Sequence, residues 1–152
     1  MNSRSISLNK RIKSDRIISL IVCILIALVG IYQVVLFCTG GDTNSLRIAV
    51  HAFTCSAVLA LIYLALLSVK KEGKPFTDKV IGYLRTCSVI IITGGILPFF
   101  LEMAVYIMRG ETYTWNVGDF DLLIPILGVV VGMISEIFVY GKDLQEDNDL
   151  IA

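Results

Sequence analysis

The chain has 152 residues, 56% of them hydrophobic, with a mean hydropathy of +0.80 and 13 basic residues balanced by 13 acidic ones. So little polar sequence remains between the apolar runs that a second, soluble domain is excluded. No nucleic-acid recognition motif accompanies the basic segments, so direct nucleic-acid binding is not expected.

The apolar residues fall into four runs, Ile17 to Cys38, Leu46 to Val69, Val80 to Met108 and Phe120 to Tyr140. Each is long enough to cross a bilayer. The expected fold is therefore all-α, a four-helix transmembrane bundle forming a single membrane domain over 1–152. The expected spans are 17–38, 46–69, 80–108 and 120–140, followed by an acidic tail over 141–152. The first run is longer than the apolar part of a secretory signal and no convincing cleavage site follows Cys38, so it reads as an uncleaved helix in a chain that starts near Met1.

Arg4, Lys10, Arg11, Lys13 and Arg16 precede the first span. The turn Thr39 to Ser45, rich in Gly, Asp and Asn, is short enough to make the first two helices antiparallel neighbours. Lys70, Lys71, Lys74 and Lys79 fill the second connection, which also holds Gly73 and Pro75 and ends in Thr77 and Asp78. Those last two side chains suit a helix start, placing the third helix from about Asp78. About 29 residues at 1.5 Å each give that helix roughly 43 Å against about 30 Å of hydrocarbon, so its first turns should protrude. Gly94, Gly95 and Pro98 within it offer either a hinge or, as the favoured reading, close packing with a static bend. In the fourth run, Gly128 and Gly132 put two small residues on one face, with Glu136 continuing the stripe, a spacing that suits packing within the monomer.

Lysines and arginines stay on the cytoplasmic side of short loops, which makes the N-terminus and the central connection cytoplasmic. The other two connections carry only Arg47 and Arg109 at their edges. Four crossings return the C-terminus to the cytoplasm, with Asp143, Glu146, Asp147 and Asp149 in its tail. The basic arm and loop also suit attraction to anionic headgroups, about 1 kcal/mol for each well-placed residue. Cys23, Cys38, Cys55 and Cys87 lie within or beside apolar runs with no CxxC pair, and His51 is the one histidine, so neither disulfide, metal nor cofactor is expected.

Ionisable residues at membrane depth are costly and face protein or water. Gln33, His51 and Glu102 lie at one level near the outer ends of three spans, forming a candidate buried polar site for a ligand or a proton. Gly95, Pro98 and Glu102 share one helical face, as do His51, Thr54 and Cys55. The plainest alternative is that Glu102 and His51 satisfy each other without binding anything. At the inner level, Arg85 and Glu136 form a candidate ion pair, or else reach the interface separately. No nucleophile motif and no HExxH pattern accompanies these groups, so no catalytic residue is assigned and no enzyme activity is expected.

Gly73-Lys74-Pro75-Phe76-Thr77 followed by Leu84-Arg85, and a tail with Phe138, Gly141, Leu144-Gln145 and Asn148-Asp149-Leu150, carry a resemblance. They are similar to the GxPF-T, LR and F-x-x-G-x-x-L-Q-x-E-N-D-L elements of the YoaS-like family of uncharacterised bacterial four-helix membrane proteins. Asp147 stands where glutamate is usual. The resemblance extends from the first span to the tail. It implies a bacterial cell-membrane location, no established enzyme activity, and a small helix-turn-helix regulator as partner. The motifs mark Gly73, Pro75, Phe76, Gly141, Leu144 and Asp149 as a cytoplasmic partner surface, unless Phe76 only anchors the loop and the tail only caps the bundle. The resulting expectation is a non-enzymatic signalling or regulatory membrane protein embedded in the lipid bilayer. The alternative is a small transporter or peptide-immunity protein using the outer polar site.

Overall fold

The computed structural model describes residues 3–112 and 121–151, and the side chains of residues 3–12, 149 and 151 lie outside that description. Four helices run in order: α1 over Ser3–Gly40, α2 over Thr43–Glu72, α3 over Asp78–Met108 and α4 over Leu123–Ile151. All four are long and apolar enough to cross a membrane, which makes this a multi-pass membrane protein of all-α class.

The helices outrun the apolar runs. α1 begins at Ser3 because no proline or glycine interrupts the basic arm ahead of the span. α4 continues to Ile151, so the acidic tail is helical and not a separate strap. The expected start of the fourth span at Phe120 lies outside the described residues. Within them, Asp121 Oδ1 accepts a hydrogen bond from the Leu123 amide at 3.3 Å, at the first turn of α4.

The connections at the other ends are tight and capped. Gly41, at φ 69°, reverses the chain after α1, and Asp42 caps α2 by accepting from the Asn44 amide at 3.1 Å. Gly73, at φ 68°, ends α2 with its amide donating to Val69 O at 2.9 Å. Thr77 is the cap of α3 and accepts from the Val80 amide, which puts the helix start where its residue chemistry places it.

Packing follows chain order. α1 lies on α2, α2 on α3 and α3 on α4, and among the described residues no comparable interface closes α1 onto α4, so the described helices are open along one side. Between α1 and α2, Gly30 admits the Phe53 ring, Ser19 Oγ donates to Leu59 O at 3.0 Å, and Ser56 Oγ donates to Cys23 O at 3.2 Å. Such bonds between small polar residues replace the hydrophobic drive that lipid removes.

α3 is held from both sides by its glycines. A Cβ on Gly94 would collide with Thr54 of α2, and one on Gly95 would stand 2.5 Å from Pro125 Cδ of α4. Gly128 of α4 is pressed against the Ile92 backbone, and Ser88 Oγ donates to Gly128 O at 2.8 Å. Gly94, Gly95, Gly128 and Gly132 thus serve contacts inside one chain, and Pro98, one turn beyond Gly94 and Gly95, is buried as well. The outward faces keep large apolar side chains such as Ile31, Ile107 and Ile137 exposed, which in lipid needs no covering partner.

Candidate functional site

Two polar assemblies sit at opposite ends of the helices. At the Gly41 end, Glu102 is a buried carboxylate, 4% exposed, on the face of α3 that meets α2. Both its oxygens are engaged by one guanidinium: Arg47 Nε donates to Oε1 at 2.7 Å and Arg47 Nη2 donates to Oε2 at 2.6 Å. This two-point fork is the strongest geometry available to such a pair. At the same end, Arg109 Nη2 donates to Gly41 O at 2.5 Å, which fastens the end of α3 to the α1–α2 turn.

Pairing of Glu102 with His51 was one of the two readings the sequence left open, and the carboxylate is instead engaged by Arg47. No hydrogen bond among the described residues links His51 or Gln33 to Glu102, and Gln33 is half-buried on α1. An arginine brings a permanent charge and parallel donors to a carboxylate, whereas a neutral imidazole brings one N–H, so the guanidinium holds the site. Arg47 had been read only as a flank of the external turn. Its position one helical turn before His51, on the same face of α2, was the available signal.

His51 instead borders an apolar crevice of about 400 Å³, with Ile26 of α1, Thr54 and Val58 of α2, Ile91 of α3 and Leu127 of α4 around it. Contributions from both α1 and α4 place the crevice on the side where the bundle fails to close. His51 Nδ1 is buried and has no hydrogen-bond partner. A buried polar atom without a partner is uncommon and is costly to maintain.

At the Phe76 end, Arg85 Nη2 donates to Glu136 Oε1 at 3.0 Å, with both side chains more than half exposed. Lys79 donates to Glu72 Oε1 at 2.7 Å, and Lys142 donates to Asp78 Oδ1 at 2.8 Å, so charges on α2, α3 and α4 interlock. Phe76 lies edge-on to Phe138 with ring centroids 5.1 Å apart, and its ring fills the space that a Cβ on Gly141 would take. Phe76 therefore anchors the connection onto α4, and Gly141 is the residue small enough to receive it. Gly73 and Pro75 are exposed, Leu144 is 68% exposed, and the Asp149 side chain lies outside the described residues. A hollow of about 480 Å³ between Phe76, Gly141, Leu144, Gln145 and Asn148 opens beside the tail.

Residues 45–151 match the family described as a protein of unknown function, DUF2975. The chain belongs to that family. Both motif-bearing stretches fall within the match, whereas the first span, where the resemblance had been expected to begin, lies ahead of it. The match covers α2, α3 and α4, and thus the Arg47–Glu102 pair, the Arg85–Glu136 pair and the Phe76–Gly141 contact. No curated protein and no solved structure matches the chain.

Proposed function

We propose that this DUF2975 protein is a non-enzymatic, signalling or regulatory protein of the bacterial cell membrane that docks a cytoplasmic partner at its Phe76 end. The distribution of lysine and arginine supports N-in and C-in orientation, which makes that end cytoplasmic. The observation that carries the reading is Leu144. It stands 68% exposed on a helix that continues beyond the apolar run, beside an open hollow and between acidic residues Asp143 and Asp147. A large apolar side chain with a charged rim is the arrangement of a binding anchor. Its complement is a short amphipathic helix with basic flanks, of the kind a small helix-turn-helix regulator can present. The nucleic acid is then contacted by the regulator and not by this chain.

A photoreactive residue in place of Leu144, in the full chain in its native membrane, tests this. The expected result is a discrete cross-link to a cytoplasmic protein that is absent when the same residue replaces Leu28. Loss of the partner in Leu144→Asp at unchanged membrane abundance supports the reading, and an undiminished yield refutes it. The second reading, a small transporter or peptide-immunity protein, draws on the partnerless His51 Nδ1 at the apolar crevice. It requires His51→Ala to abolish uptake or resistance while Leu144→Asp leaves it intact.

A further inference from the structure

A third polar place is independent of both assemblies. Lys13, Arg16, Ile17 and Leu20 recur at i, i+3, i+4 and i+7, and so share one face of α1, whereas Asp15 lies off it. With Tyr63 and Lys70 of α2 they line a cavity of about 200 Å³ at the end of the helices from which α1 enters the membrane. Arg16 is held in place there. Its Nη2 donates to Tyr63 Oη at 3.1 Å, and its guanidinium carbon lies 5.0 Å from the centre of the Tyr63 ring.

Two features are unexplained by the protein alone. Arg16 Nε is buried and has no hydrogen-bond partner. Three cations meet at the cavity, and among the described residues none of them is paired with a carboxylate. A buried donor and unneutralised cations call for an anionic acceptor with several oxygens. The apolar residues specify its attachment. Ile17 and Leu20, 50% and 44% exposed, follow the cations deeper along α1, which is the order of headgroup and acyl chain in a phospholipid.

We infer that Lys13, Arg16, Tyr63 and Lys70 form a binding site for the phosphate of an anionic phospholipid, whose acyl chain lies along Ile17 and Leu20. Arg16, fixed by Tyr63, supplies directed donors, and the two lysines supply charge at the rim. Such a site seats α1, the helix outside the family match, against α2 through a lipid.

The test is native mass spectrometry of the full chain released from vesicles of phosphatidylcholine and phosphatidylglycerol. Retained phosphatidylglycerol is expected, reduced about fivefold by Lys70→Gln or Arg16→Gln. Lys71→Gln, which removes the same charge from the next position of α2 outside the cavity, should leave retention unchanged. Lys70 is exposed and takes part in no ion pair among the described residues, so Lys70→Gln keeps the test decisive should Arg16→Gln fail to fold. Equal retention of the two lipids overturns the inference. So does an equal loss in Lys71→Gln, which would indicate diffuse surface charge. Displacement of the lipid by millimolar inorganic phosphate overturns the lipid assignment in favour of a soluble phosphate.

Discussion

Removing the Arg47 side chain should destabilise the bundle more than removing Arg85, although both arginines face a glutamate on another helix. In the first pair the side chain of Glu102 is 5% exposed and that of Arg47 29%, and two short bonds join them; in the second the side-chain exposures are 56% and 60% for one bond of 3.0 Å. Breaking a buried pair by deleting one partner costs about 3–5 kcal/mol because the other charge stays buried without compensation. Water reaching the partly exposed Arg47 lowers the expectation for Arg47→Ala to about 2–3 kcal/mol. For the exposed pair the expected coupling is about 0–1 kcal/mol. Equilibrium unfolding in mixed micelles, with Arg47→Ala, Glu102→Gln and the double variant, measures the first coupling. The cycle separates that pair from whatever else Arg47 touches. A coupling of about 2 kcal/mol is expected, against less than about 1 kcal/mol for Arg85→Ala with Glu136→Gln. Equal couplings, or an Arg47→Ala cost below about 0.5 kcal/mol, would refute the view that burial and two-point geometry set the strength of these pairs.

Other substitutions probe the packing. Gly128→Ala places a Cβ 2.9 Å from the Ile92 backbone nitrogen and should cost about 1–3 kcal/mol, whereas Gly82→Ala, which meets nothing within 4 Å, should be neutral or stabilising by up to about 1 kcal/mol; the same unfolding assay ranks them. Phe76→Ala should release the α2–α3 connection from α4 and raise its protease sensitivity at Lys74, while Leu144→Ala leaves cleavage unchanged because Leu144 is exposed. In a variant without native cysteines, a cysteine at Gly40 or Glu111 should react with an impermeant reagent on intact cells, and one at Lys74 or Gln145 should not; protection at Gly40 would reverse the proposed orientation.

The sequence by itself determined that the chain holds four helices fit to cross a membrane, and where the third begins. Twenty or so apolar residues in a row leave few alternatives to a helix across lipid, since the backbone must satisfy its own hydrogen bonds there. Thr77 carries local capping chemistry that acts on nearest neighbours, and α3 starts where that residue places it, whereas α2 runs past the expected end at Val69 to Glu72, where Gly73 caps it. Arg85 and Glu136 could be matched by counting residues from span ends, and the structure brings them within 3.0 Å. The tertiary structure alone decided that Glu102 pairs with Arg47, that Phe76 seats on Gly141, and that α1 and α4 leave one side open. These outcomes depend on how each helix is rotated about its axis and which helix lies beside it. In helices apolar on nearly every face, no polar stripe records that rotation, so it is set by where glycines allow close approach and where a buried charge finds its counterpart.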